Sequence, residues 1–100
     1  MDTIKNPVSI EKEHVGGLHF PGDEVLNTKE DVLKRTYELE RAGQLGNGDN
    51  VKMKIVFEDA EGLKQVETTI WAVTKDRIVL KHGITIPIGR IHDRRLEGKV

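Results

Sequence analysis

The sequence contains no cysteine among its 100 residues. Disulfides, thiolate metal ligands and cysteine nucleophiles are therefore excluded, and packing alone has to hold the fold together, as is usual for intracellular domains. Long hydrophobic runs are also missing, since the longest apolar stretch is residues 70–73. A membrane-spanning helix needs about 20 apolar residues, so we expect no membrane partner.

Residues 1–6 lack the basic-then-apolar order of a signal peptide, and we expect a cytoplasmic protein. Ser9 is the only serine, and the sequence pattern places no catalytic base near it, so nucleophilic hydrolysis is not indicated. The ten glycines form neither a Walker loop nor a dinucleotide-binding motif. The sequence therefore predicts no catalytic residues, no cofactor and no enzyme.

Charge is abundant, at 33% of residues, and nearly balanced, with a formal net charge of −1. Its distribution is uneven. Residues 1–50 hold 6 Lys and Arg against 10 Asp and Glu, whereas residues 51–100 hold 10 against 7. A basic C-terminal half can mark a surface for polyanions, although mixed protein surfaces also reach such an excess by chance.

Residues 1–26 show no sustained periodicity, and a type II turn is predicted at residues 20–23. We expect an irregular, partly mobile lead-in, which Val25 and Leu26 attach to the core. Residues 27–100 are predicted to form one domain, a helix plus a small β-barrel.

One helix is predicted over residues 28–42, capped by Asn27 or Thr28 and ended by Gly43 or Gly46. Its expected apolar side consists of Val32, Leu33, Thr36 and Leu39. Acid-to-base pairs four residues apart are expected along it, Glu30 with Lys34 and Asp31 with Arg35, and its other side is covered by Glu30, Lys34, Glu38 and Arg41.

Strict alternation after residue 50 predicts antiparallel strands. A hairpin that pairs Ile55 with Val66 also sets Lys54 opposite Glu67, so that apolar meets apolar and opposite charges meet. The return strand is long, and its polar face becomes apolar at residues 71 and 73, which predicts a bend near residues 68–69 between two sheets.

Parity also predicts a three-residue loop at residues 81–83, with Leu80 opposite Ile84 and Gly83 at the left-handed position of a type I turn with a bulge. Pro87 is expected at an edge or strand end. A 3₁₀-like turn at residues 88–91 and a last strand at residues 91–96 complete the predicted order. The fold class is thus mainly β (α+β), with one N-terminal helix and a five-stranded antiparallel SH3-like or Sm-like barrel.

Three stretches, residues 69–74, 79–81 and 84–91, resemble the C-terminal half of short uncharacterised proteins from Bacteroidetes-type bacteria. The resemblance covers roughly residues 50–96. It implies the small-barrel fold and a bacterial cytosolic setting, and it implies no activity.

Two histidines, His14 and His19, lie near carboxylates, but their spacing matches no standard metal site, so no metal is predicted. His92 and Asp93 are neighbours on a strand and point to opposite sides, which disfavours a base with its orienting group.

The leading functional hypothesis is a small non-catalytic binding module that associates with a protein partner or with itself, because small sheets leave open edges. The alternative is binding of single-stranded RNA or DNA by the basic half, as cationic barrels do. Its candidate residues are Lys75, Arg77, Lys81, Arg90, Arg94 and Arg95.

Overall fold

The structure is a computed structural model that describes residues 7–49 and 51–96, with side chains over 7–44 and 51–92. The chain is mainly β. Its strands are β1 (Val8–Ile10), β2 (Lys52–Asp59), β3 (Gly62–Val73), β4 (Arg77–Leu80), β5 (Thr85–Pro87) and β6 (Ile91–Leu96). Its helices are α1 (Lys12–Val15) and α2 (Lys29–Asp49), and 3₁₀ turns cover Lys81–Gly83 and Ile88–Arg90. No described helix is both long enough and apolar enough to cross a membrane.

Five strands follow one path in the order β5-β4-β3-β2-β6, and all of these pairs are antiparallel. The sixth strand, β1, runs parallel to β3 and pairs with its residues 64–66. The ladders of the described residues do not join β5 to β6. The prediction of a mainly β, largely antiparallel fold is confirmed, with one strand more than expected.

The first hairpin has the predicted register. Ile55 pairs with Val66 and Lys54 with Glu67. Asp59 closes the turn, where its Oδ1 accepts hydrogen bonds from the backbone N–H groups of Glu61 (2.8 Å) and Gly62 (3.0 Å). Burial of one side of β2 fixes this register, because a slip by one residue would turn Ile55 toward solvent.

Strand β3 changes its antiparallel partner along its length, as its change of pattern predicted. It pairs with β2 up to Thr69 and with β4 from Ile70 onward. The β4 ladder shifts register between Ile70 and Ala72, which leaves Trp71 as an extra residue in a bulge. The change of partner therefore falls one residue beyond the predicted bend.

Helix α2 begins where predicted and ends later. Thr28 caps it, since its Oγ1 accepts the N–H of Asp31 at 3.0 Å. The prediction that Gly43 or Gly46 ends the helix is wrong, because the helix continues to Asp49. Gly43 serves a close approach instead, since a Cβ at this position would lie 3.1 Å from Val73 Cγ2.

The buried side of α2 differs from the predicted stripe. Leu39 is buried as expected and Ala42 is buried too, but Leu33 is 67% exposed and Arg35 is buried. Arg35 was expected to pair with Asp31, and it instead bonds Glu24. The buried side of the helix is therefore rotated relative to the predicted one.

The second hairpin also has the predicted pairing. Ile78 lies opposite Ile86, and the N–H of Leu80 donates to the carbonyl of Ile84 at 2.6 Å. The left-handed conformation predicted for Gly83 is confirmed by its φ of 85°. The type I turn predicted before it is wrong, because His82 also has a positive φ (72°), as at the two central positions of a type I′ turn.

The core lies between the sheet and α2. Its largest fully buried side chains come from α2 and from all five strands of the path: Leu39, Met53, Ile55, Phe57, Ile70, Ile78, Leu80, Ile86 and Ile91. Burying one such side chain contributes roughly 1.5–3 kcal/mol. This apolar cluster provides the main stabilisation of the sheet.

The lead-in is less irregular than predicted. It contains β1 and α1, and Val15 of α1 is fully buried. Phe20 packs on Phe57 with ring centroids 5.9 Å apart, and the N–H of Val25 donates to the carbonyl of Gly89 at 3.0 Å. The predicted partial mobility of the lead-in stays a prediction, since residues 1–6 lie outside the described residues and residues 8–10 form β1.

We predict that Gly83→Val destabilises the protein by about 1 kcal/mol or more, because a β-branched residue at positive φ is strained. Gly22→Val is the control, since Gly22 has no positive φ and nothing lies within 4 Å of its added Cβ. Urea unfolding of both variants measures the difference. Equal stabilities would contradict the left-handed assignment.

Candidate functional site

The second hairpin and the end of β3 present a sheet face opposite the core. The register places Ala72, Val79 and Thr85 in one row across three strands, and Arg77 beside Pro87 in another. Directly paired residues share a face. Because the alternate residues of these strands are buried, these five residues belong to the other face, which we call the outer face together with Trp71.

Trp71 is the most conspicuous member of the outer face. It is the only tryptophan of the chain, and it is 41% exposed. Its ring centroid lies 6.1 Å from that of His82, with the two planes tilted by 51°. His82 is an exposed residue with positive φ, so a strained turn holds an imidazole beside the indole.

Three of the predicted basic residues lie around this face. Arg77 belongs to it and donates from Nη1 to Thr85 Oγ1 at 3.2 Å. Lys75 lies in the turn that precedes β4, and Lys81 directly follows β4. All three are exposed. One hairpin therefore carries all three cations, with Lys75 and Lys81 at opposite ends of β4.

Arg90 does not belong to that surface. It is only 6% exposed, its Nε donates to the carbonyl of Glu58 at 3.1 Å, and its Nη1 donates to the carbonyl of Asp23 at 2.7 Å. A guanidinium with buried carbonyl partners fastens the lead-in to β2. Arg90 was predicted to bind phosphate, but its burial and its carbonyl partners leave it a structural role instead.

Arg94 and Arg95 lie on β6, where the register places them opposite Ile55 and Lys54. Their side chains are outside the described part of the structure. These positions are at the other end of the sheet path from β5. Of the six predicted residues, only Lys75, Arg77 and Lys81 are thus carried by the same hairpin.

A second charged cluster centres on Arg35. Its two terminal nitrogens contact Glu24 at 2.5 and 2.7 Å, and Nη1 also donates to the carbonyl of Ile91 at 3.1 Å. The hydrogen bond from Arg35 lowers the pKa of Glu24 from its ordinary value of 4.5. This cluster joins α2, the lead-in and β6.

Two further carboxylates are held in a similar way. Glu58 Oε1 lies 2.9 Å from His92 Nε2. Burial raises the pKa of Asp59, but the hydrogen bonds from Lys64 (2.6 Å) and from two backbone N–H groups outweigh it and lower the pKa. These groups have partners within the fold and brace the β2–β3 turn and the start of β6.

Two surface concavities are notable. One of about 400 Å³ lies beside β1 and is polar, with side chains of both charges such as Lys12, Lys52 and Glu67. Another of about 300 Å³ lies where α2 meets the end of β3, lined by Gly43, Trp71 and other residues of both elements. The second adjoins the outer face.

Over the described residues, no group of three or more His, Cys, Asp or Glu side chains is arranged to hold a metal ion. His14 and His19 are both exposed, and the carbonyl of His19 accepts the N–H of Ala60 at 2.8 Å. His19 thus fixes the lead-in to the β2–β3 turn through a backbone contact.

The outer face was not predicted from the sequence, although one signal for it was available. Trp71 follows Glu67 and Thr69 at alternate positions of β3, which is the polar side of the strand. This alternation alone places the indole opposite the core.

Comparison with protein families, with curated proteins and with solved structures finds no match to this chain. Its function is therefore argued from the geometry.

We predict that Glu24→Gln lowers the melting temperature at neutral pH and that the deficit shrinks as the pH falls below about 4.5. The folded-state pKa of Glu24 is lowered, so its contribution is complete above the unfolded pKa and is lost as the carboxylate protonates in the folded state. Thermal unfolding from pH 7 to about pH 3 measures this. The exposed Glu40→Gln is the control, and a deficit that stays constant with pH would contradict the assignment.

We predict that Arg90→Ala destabilises the protein by roughly 2–3 kcal/mol, because it removes charged hydrogen bonds from two backbone carbonyls. Arg77→Ala, at an exposed arginine, is expected to change stability by about 0.5 kcal/mol or less. Urea unfolding compares them. Equal effects would mean that Arg90 is not a structural residue.

Proposed function

We propose that this protein is a small, non-catalytic binding module that associates with protein by adding a strand at the outer edge of β6. A second copy of the chain is the partner we propose first. The single observation that carries the proposal is the position of β6, which ends the sheet path and has five of its six residues paired to β2 on one side.

The far edge of β6 is available for pairing. Within the described ranges no strand lies against it. Arg35 occupies the carbonyl of Ile91 at the start of the strand. The following residues continue as a strand to Leu96, and unpaired backbone groups of an edge strand are a template for another chain.

The opposite edge, at β5, is a poor alternative. The N–H of Leu80 bonds the carbonyl of Ile84, and the N–H of Ile88 bonds the carbonyl of Asp76. Hydrogen-bonded pairs alternate along an antiparallel ladder, so Thr85 and Pro87 direct their backbone groups outward. Proline has no N–H, which leaves Thr85 as the donor at this edge.

Two further features support association by strand pairing. The chain already adds a short extended segment to its own sheet, since β1 pairs in parallel with β3 over three residues. The formal net charge of −1 also leaves little repulsion between copies.

The small SH3-like or Sm-like barrel expected from the sequence is also part of this proposal. A strand β3 that turns from one ladder into another, and a 3₁₀ turn before the last strand, support a small SH3-like or Sm-like barrel. The similarity to Bacteroidetes-type proteins and the cytoplasmic setting are proposed with it.

We predict that the native protein self-associates with increasing concentration, and that the association changes little between about 50 and 200 mM salt, because backbone pairing depends weakly on salt. Sedimentation and light scattering measure this. Proline substitutions test the β6 edge. Successive N–H groups of β6 point alternately toward β2 and away from it. One of the two variants Asp93→Pro and Arg94→Pro therefore keeps the β2 ladder and blocks the outer edge. We expect the folded variant to be monomeric.

Thr85→Pro is the matched control at the other edge. Ile84 has φ −74° and ψ 140°, which a following proline accepts, so this variant is expected to fold and to associate like the native protein. If neither β6 proline folds, amide exchange over residues 91–96 should slow with protein concentration. A native protein that is monomeric at every concentration would contradict the proposal.

A further inference from the structure

We propose that the outer face binds single-stranded nucleic acid, with a base stacked on Trp71 and neighbouring phosphates bound by Arg77 and Lys81. The inference uses a different surface from the β6 edge and does not depend on self-association.

The first support is the exposure of an aromatic side chain that the core does not use. Phe57 is fully buried and Phe20 packs on it, whereas Trp71 is 41% exposed. Alternation after the buried Ile70 places Trp71 on the outer face, and the register shift beside it marks a bulge, a feature that is over-represented next to active sites. Stacking of bases on exposed rings is the usual sequence-tolerant contact with single strands.

The second support is charge. The six residues of the outer face include one cation, Arg77, and no carboxylate. Lys75 and Lys81 border it at the two ends of β4, and both are exposed. Two acidic residues lie nearby, Asp76 in the turn and Glu40 on α2. The balance around the indole is therefore basic, and it complements a phosphate backbone.

The third support is the conformation of His82. A non-glycine residue at φ 72° costs of the order of 1–3 kcal/mol, and such strain tends to persist at functional sites. Here it holds a second flat ring 6.1 Å from the indole. Since the rings are tilted by 51° and do not stack on each other, the indole keeps a face for a base.

The unique tryptophan gives a direct test. Because Trp71 is the only tryptophan, its fluorescence reports on this site alone. We expect a mixed-sequence single-stranded oligonucleotide to quench it at about 50 mM salt, with affinity falling steeply toward about 200 mM. A labelled oligonucleotide followed by anisotropy gives the affinities of variants that lack the indole.

Substitutions separate stacking from charge. Trp71→Ala should weaken binding about 5- to 100-fold, and Trp71→Phe, which keeps a ring, should retain most of it. Arg77→Ala and Lys81→Ala should each reduce the slope of log affinity against log salt by about 0.7. Lys29→Ala, at an exposed lysine on α2, is the control and should leave affinity and slope nearly unchanged.

Three results would overturn the proposal. The first is fluorescence that the oligonucleotide does not change at low salt. The second is binding that Trp71→Ala leaves intact, which would place the nucleic acid elsewhere. The third is fluorescence that changes with protein concentration alone, which would make the outer face a contact between protein molecules.

Discussion

The arrangement of α2, the lead-in and β6 depends on the contacts of one buried group, the guanidinium of Arg35. It joins α2 to Glu24 of the lead-in and to the backbone of Ile91 in β6. A buried cation is stable when its charge and hydrogen bonds are matched. Here Glu24 matches the charge, and Glu24 and the carbonyl of Ile91 bond the two terminal nitrogens, whereas the buried Nε has no hydrogen-bond partner. The orientation of α2 that permits this contact leaves Leu33 exposed.

The parts of the fold that could be predicted from the sequence are those that local patterns determine. The registers of both hairpins were predicted, because alternation and turn length are local properties that a one-residue slip would violate. The end of α2 was not predicted, because the role of Gly43 depends on Val73 of a distant strand. The buried side of the helix was missed for the same reason, since Glu24 and Ile91 are far from Arg35 in sequence.

The candidate site was predicted in part. Lys75, Arg77 and Lys81 lie near one another because one hairpin carries them. Arg90 has the same charge and was counted with them, yet it is buried, because carbonyls of Glu58 and Asp23 converge on it in the folded chain. Composition alone does not separate a structural arginine from a surface one. Burial and hydrogen-bond partners do.

The two proposed surfaces are compatible because the sheet keeps them apart. The β6 edge lies at one end of the strand path, whereas the outer face is formed by β4, β5 and the end of β3. Pro87 limits pairing at the β5 edge, which borders the outer face. A chain added at the β5 edge would crowd Arg77 and Thr85. Because this edge lacks a full set of backbone N–H donors, such pairing is disfavoured and the outer face stays accessible. Pairing at β6 would then join copies while each outer face stays open to a ligand.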